Sequence, residues 1–195
     1  MSGISPLESI HKKGLFGDHH KKDKNELLTI RELKNINIIQ IFHHKNSKIN
    51  LNKINIDGLE LSAKTSKVTS NENTRILWNA PSTWLVISKK TNILNSINEK
   101  CDDDNFAVTN ISHSRAVIQI RGLQTKEVLK KGCPINFNDF EKNSCVGSIF
   151  HGITIVVDCV DIKPYTFNIL TLRSFGESLY HHITDASLEF GYLGI

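Results

Sequence analysis

Residues 38–41 read "IIQI" and residues 117–120 read "VIQI", and what surrounds these two near-copies decides the fold. Around the first, "ELLTIREL" (26–33) and "NINIIQIFHH" (35–44) are short and rich in β-branched residues, which predicts two strands. "SKINLNKINI" (47–56) places Ile49, Lys53 and Ile56 on one helical face and predicts a weak helix. A strand is expected around "LELSAK" (59–64). "RILWNA" and "TWLVISK" then flank a turn at Asn79, Ala80, Pro81 and Ser82. "TNILNSINEK" (91–100), with Ile93 and Ile97 one turn apart and Leu94 beside them, reads as a helix.

Around the second copy the order repeats. "SRAVIQIRG" (114–122) is a strand ended by Gly122, and "LQTKEVLKK" (123–131) is a short helix packing Leu123, Val128 and Leu129. "GSIFHGITIVVDCV" (147–160) gives two strands joined near Gly152, and "YTFNILTL" (165–172) gives another. The last helix, in "SFGESLYHHITDASLEF" (174–190), pairs Ser174 with Glu177 as a capping box. Phe175, Leu179, Ile183 and Ala186 recur at helical spacing and define its buried face. Each copy thus opens a unit of strand, helix, strands and helix, the split βαβ ferredoxin-like order, with an antiparallel sheet and helices packed on one face. Two such units predict an α+β protein of two ferredoxin-like βαββαβ-type halves with pseudo-twofold symmetry. The halves run over about residues 27–104 and 105–195, behind an extended N-terminal arm at 1–26.

The chain's 195 residues suffice for one core, or two small halves, without disulfide staples. No run approaches the roughly 18 consecutive apolar residues of a membrane span. The first residues, "MSGISPLESIHKKGLFG", lack the apolar run of a secretory signal, so the cytoplasm is the expected compartment and the four cysteines are expected to be reduced. Much of the net charge of +4 sits in "HKKGLFGDHHKKDK" (11–24). No basic stripe interleaved with aromatics follows, so nucleic acid is not an expected partner. The arm reads as a solvated terminal segment, or as one that orders on docking.

The glycine patterns that cradle dinucleotides or phosphates are absent, as are G-x-S-x-G and H-E-x-x-H. Cys101, Cys133, Cys145 and Cys159 are not in the tight pairs that let one turn aim two ligands at an ion. The histidines come as adjacent doublets at 19–20, 43–44 and 181–182. A zinc site from Cys133, Cys145 and His151 stays open, as does a thiol nucleophile at Cys133 with His113 as base. The more economical reading of Cys133 is a helix stop, in which Gly132 takes the left-handed position and Pro134 prevents continuation. Cys159, in "ITIVVDCV", suits a buried apolar role. Asp57, Asp161 and "CDDDN" (101–105) offer carboxylates not visibly paired for acid–base work, and Trp78 and Trp84 suit packing. No catalytic, cofactor-binding or metal-ligating residue is therefore assigned.

"SPLE" near the start, "TIREL" with "NIIQI", "LWNAPSTWLVIS", "ISHSRAVIQIRG", "VLKKGCPINF" and "RSFGESLYHHITDASLEFG" together resemble the gamma subunits of four-subunit (heterotetrameric) sarcosine oxidases. The match is strongest from Arg75 to Gly191, while residues 45–74 read as shortened or diverged. The resemblance implies a fold related to the folate-binding aminomethyltransferase, the T-protein of glycine cleavage. It implies a complex that oxidatively demethylates sarcosine to glycine, passing the one-carbon unit to tetrahydrofolate and electrons to oxygen. FAD, FMN, NAD, tetrahydrofolate and zinc are then expected in partner subunits. The chain would be an accessory subunit packed directly on the alpha subunit, with beta and delta subunits in the same complex. A free-standing folate-dependent aminomethyltransferase is the alternative, and it needs a carboxylate such as Asp57 or Asp161 over the folate. For the accessory reading, Trp84, Arg115 and the helix at 174–190 are the expected stabilisers of fold or docking surface. Arg115, a fork-shaped donor at a strand start, would orient a carboxylate of a partner or of its own fold.

Overall fold

The computed structural model describes residues 5–195, Asn52 by its backbone alone. In chain order the strands are β1 (Gly14–Phe16), β2 (Leu28–Glu32), β3 (Asn37–His43), β4 (Asn55–Ile56), β5 (Leu59–Glu60), β6 (Val68–Ser70) and β7 (Thr74–Ala80). They continue as β8 (Thr83–Ser88), β9 (Phe106–Asn110), β10 (Arg115–Arg121), β11 (Cys145–Phe150), β12 (Ile153–Ile162), β13 (Tyr165–Leu172) and β14 (Tyr192–Gly194). The α-helices are α1 (Ile93–Asn98), α2 (Thr125–Lys130) and α3 (Gly176–Ser187). Contacts divide the chain into two compact units, the first up to Lys34 with Ser114–Lys142 and Val146–Ile195, the second Asn35–His113 with Asn143–Cys145. The two near-copies become interior strands, β10 in the first unit and β3 in the second.

The first unit holds a sheet in the order β1-β14-β2-β10-β13-β12-β11. Alternate residues point the same way, as the two-residue strand period requires. Leu28 and Ile30, Ile118 and Ile120, Val157 and Cys159, and Phe167 and Ile169 therefore share one buried face. Val128 and Leu129 of α2 and Leu179, Ile183 and Ala186 of α3 cover it. Each fully buried Ile or Leu contributes about 1.5–3 kcal/mol, so this apolar face, rather than any cap, holds the two short helices in place.

Several expectations are corrected here. Leu123 lies outside α2 and is 64% exposed, and Phe175, at 45% exposed, leaves the buried face of α3 to Leu179, Tyr180 and Ile183. The capping box does not form: Arg173–Phe175 is a 3-10 turn, so Ser174 lies within it, and the helix cap at Phe175 has no side-chain hydrogen bond. Gly132 is absent from the left-handed residues, and Lys131 closes α2 in a right-handed conformation. Gly132 instead provides space, since a Cβ there would stand 2.7 Å from the His151 ring. Within the described part of the N-terminal arm, Leu7 to Asp18 is held against the first unit, while most of residues 20–26 are exposed. Leu7 is fully buried, β1 pairs with β14 residue for residue, and Asp18 N–H donates to Leu188 O at 2.7 Å. Residues 1–4 of that arm lie outside the described residues.

The second unit holds an antiparallel sheet in the order β6-β7-β8-β3-β9, with the β4–β5 hairpin beside it. Ile39 and Ile41 of β3 pack with Ile76, Trp84, Val86 and Phe106, and α1 adds Ile93 and Ile97. The helix expected over 47–56 is a 3-10 turn at Leu51–Lys53 followed by β4, and the strand expected around 59–64 shortens to β5. The reason is the Asp57-Gly58 pair: both residues have positive φ (53° and 80°), the geometry of a two-residue hairpin turn.

The molecule is thus α+β, with largely antiparallel sheets and few helices, but neither unit is a plain βαββαβ. The second puts a 3-10 turn and a hairpin where the first helix belongs. In the first, β2 takes the place beside β10, and β14 joins β2 in parallel. Among the described residues no helix is long and apolar enough to cross a membrane.

Candidate functional site

The face of the first unit's sheet opposite Ile118 and Ile120 carries a line of polar side chains. Arg31, Gln119, Asn168 and Asp158 are successive register partners across β2, β10, β13 and β12. Arg31 Nε donates to Gln119 Oε1 at 2.9 Å, Gln119 Nε2 to Asn168 Oδ1 at 2.9 Å, and Asn168 Nδ2 to Asp158 Oδ2 at 3.0 Å. Asn168 and Asp158 are buried, where an unmade hydrogen bond is costly, so the line reinforces a single register of four strands. Sequence reading missed this set; its signal was one polar residue on each of four strands, which becomes legible only once the register is known.

The thiols are set for packing rather than reaction. Cys133 is buried in the first unit's core, and its Sγ donates to Ser148 Oγ at 3.4 Å. Burial pushes the Cys133 thiol up, and the Ser148 contact only partly offsets this. Cys145 is buried in the second unit and donates to Trp78 O at 3.2 Å. His151 stacks beside His182, ring centroids 4.9 Å apart, and His113 lies exposed on a one-turn 3-10 helix. Among the described residues no three His, Cys, Asp or Glu side chains gather as a metal site would require, so Cys133, Cys145 and His151 are not brought together. Cys159 is fully buried, as its apolar context requires. Cys101 is buried too, and burial, then the Asp102 charge, raises its thiol to about 11.

The carboxylates hold turns. Asp57 accepts from Thr74 Oγ1 at 2.6 Å and from Asn71 Nδ2 at 3.2 Å, and it pairs with Lys90. Burial pushes the Asp57 carboxyl up, but the hydrogen bonds from Lys90, Thr74 and Asn71 outweigh it and hold the group below its ordinary value. Asp161 accepts from Lys142 at 3.1 Å and from the Ile162 and Lys163 N–H groups at the β12–β13 turn, which holds it low as well. Both candidates for the folate carboxylate thus have structural partners.

Trp84 is buried in the second unit's core, and its Nε1 donates to Ser62 O at 2.8 Å. Arg115 begins β10 opposite Leu172 and is half-buried; desolvation pushes its guanidinium below the ordinary value, and it forms no ion pair among the described residues. An internal salt bridge, one of the two roles read for it, is therefore not what the fold supplies. The outer side of α3 carries exposed Glu177, His181, His182 and Asp185.

Against known proteins, residues 51–189 match the model of the sarcosine oxidase, gamma subunit family. That span takes in most of residues 45–74, the stretch expected to be diverged. The sarcosine oxidase subunit gamma of Corynebacterium sp. (strain U-96) is 25% identical over 137 residues, which are 68% of this chain and 66% of the relative's length. In structure, the chain is similar to one in the heterotetrameric sarcosine oxidase from Corynebacterium sp. U-96 in complex with pyrrole 2-carboxylate. The TM-score is 0.83 at 20% identity, covering 97% of each chain. It is also similar to the glycine cleavage system aminomethyltransferase T from Bartonella henselae, with a TM-score of 0.65 at 12% identity, covering 94% of this chain and 57% of the other. These two likenesses speak to the fold, which is thereby related to that of the T-protein.

Proposed function

Because the chain belongs to the sarcosine oxidase gamma subunit family, we propose that it is the non-catalytic gamma subunit of a heterotetrameric sarcosine oxidase. The observation that carries this is the family match over residues 51–189, and the structural likeness over 97% of the chain supports it. In this reading the complex oxidatively demethylates sarcosine to glycine and passes the one-carbon unit to tetrahydrofolate. FAD, FMN, NAD, tetrahydrofolate and zinc reside in the partner chains. The gamma chain packs directly on the alpha subunit and stabilises the assembly, with the beta and delta subunits in the same complex. The cytoplasm is its compartment, in keeping with four cysteines held as free thiols.

The pattern of committed side chains supports a supporting role. Asp57 and Asp161 bind their own turns, the thiols are buried, and the polar line ties strands together. That also weighs against a free-standing folate-dependent aminomethyltransferase, which needs a carboxylate free to meet folate. The test is affinity purification of the tagged chain co-expressed with the alpha, beta and delta subunits. Recovery of a flavin-coloured complex with sarcosine-dependent oxygen uptake, with no uptake by the chain alone, is the expected result. A chain that stays monomeric beside its would-be partners, or that turns over sarcosine or binds tetrahydrofolate alone, would overturn the proposal.

A further inference from the structure

At one end of the first unit's sheet, the start of β2, the end of β10 and the β12–β13 turn enclose an open groove of about 580 Å³. Its apolar lining comes from Leu27, Leu123, Ile162 and Pro164, and its cations are Lys24, Arg121 and Lys163. Leu123 is 64% exposed and Ile162 37%, a pair of large apolar side chains left in water beside one another's groove wall. None of the three cations forms an ion pair among the described residues, and no Asp or Glu lines the groove. Three acidic residues adjoin the lining in sequence but are not part of it: Asp23, Glu26, which accepts from the Asp23 N–H at 2.8 Å, and Asp161, which is turned to Lys142 and to the Ile162 and Lys163 N–H groups. Lys126, close by, is engaged over the Tyr165 ring at 4.2 Å.

Uncovered apolar side chains ringed by unpaired charge of one sign are the mark of an association surface. We propose that this groove docks a segment of the partner subunit in which one apolar side chain is flanked by carboxylates. The apolar side chain covers Leu123 and Ile162, and the carboxylates meet Lys24, Arg121 and Lys163. Charge complementarity selects that occupant: three unpaired cations in one groove repel a basic segment and leave a neutral one with nothing to pair. The inference rests on the gamma-subunit reading and adds to it the face that binds.

The experiment is co-expression of the tagged chain with the alpha, beta and delta subunits in three forms. These are wild type, the triple variant Lys24→Glu, Arg121→Glu, Lys163→Glu, and a control Lys45→Glu, Lys64→Glu, Lys89→Glu. The control reverses three exposed lysines that do not line the groove and makes the same change in net charge. A fourth form, Leu123→Ser, alters only a side chain already in solvent and so keeps the test alive if the triple variant fails to fold. The expected result is at least tenfold less partner recovered with the triple variant, a several-fold loss with Leu123→Ser, and wild-type recovery with the control. Wild-type recovery by a folded triple variant and by Leu123→Ser overturns the groove assignment while leaving the gamma-subunit reading standing. No recovery even with wild type overturns that reading, and the groove assignment with it. If the isolated wild-type chain dimerises in sedimentation, the triple variant is monomeric and partner recovery is unchanged, the occupant is a second copy and the proposal falls.

Discussion

Gln119 and Asn168 face each other across β10 and β13, their side-chain amides joined at 2.9 Å, and Asn168 passes its own N–H on to buried Asp158. Removing the middle of such a line takes a partner from each neighbour. Asn168→Ala is expected to cost about 1–3 kcal/mol, the desolvation penalty of buried polar groups left short of a partner. Asp158→Asn keeps an oxygen that can accept from Asn168 and should cost less. Urea unfolding followed by circular dichroism checks this as a fall in midpoint at unchanged slope. Equal losses from the two variants would show that the carboxylate's charge, not the continuity of the line, matters.

Gly17 and Gly191, both with φ of 70°, stand where the N-terminal segment meets the end of α3 and the start of β14. A Cβ on Gly17 would lie 2.2 Å from Leu188 O, which no side-chain movement relieves. Gly17→Ala is expected to cost about 1–3 kcal/mol from the backbone conformation alone, with the clash in addition. Its consequence should be local: β1 detaches from β14, and trypsin cuts at Lys21, Lys22 and Lys24 at least tenfold faster than in wild type. Unchanged cleavage would mean that Leu7 and the sheet pairing hold the segment without this close approach.

The strands around both near-copies were legible because a two-residue apolar period needs no tertiary knowledge, and Ile39, Ile41, Ile118 and Ile120 point inward as it demands. The misreadings share one cause, dependence on a neighbour distant in sequence. Ile49, Lys53 and Ile56 have helical spacing, but the Asp57-Gly58 turn that Asp57 secures to Thr74 makes a hairpin of their last residues. Gly132 was read for its conformational freedom, whereas it is needed for its closeness to His151, nineteen positions on. The arm's polar composition concealed Leu7, whose burial anchors the segment to the first unit's core. As for the site, each carboxylate and thiol could be named from sequence, but what each one binds depends on strand register. The groove at Arg121 and Lys163 likewise joins three segments distant in sequence.

The four thiols should be silent in the native state. Cys101, Cys133, Cys145 and Cys159 are each at most 4% exposed, and Cys101 is raised to about 11. At pH 8 about one Cys101 in a thousand is then thiolate, the reactive form. Iodoacetamide at that pH should modify none of the four over an hour in buffer and all four in denaturant, as read by mass spectrometry. Rapid native labelling of Cys133 would restore the case for a reactive thiol there.

Asp57 sets an acid limit on the second unit. Its carboxyl is held below its ordinary value in the folded chain, because hydrogen bonds from Lys90, Thr74 and Asn71 outweigh the effect of burial. A depressed folded value means that the unfolded chain binds the proton more readily. The stabilisation is therefore complete above the unfolded carboxyl value of about 4 and drains away as pH falls through the lower folded one. Asp57→Asn, which cannot gain a proton there, should be less stable than wild type at pH 7, and the gap should narrow below about pH 4. Thr74→Val removes a fully buried hydroxyl bonded to both Asp57 and Ser88, and should cost about 1–3 kcal/mol at neutral pH while flattening the same acid limb. Thermal melts of the three proteins from pH 7 to pH 2.5 provide the measurement. Parallel curves for wild type and Asp57→Asn would show that the carboxylate adds no pH-dependent stability, leaving the turn to its backbone geometry.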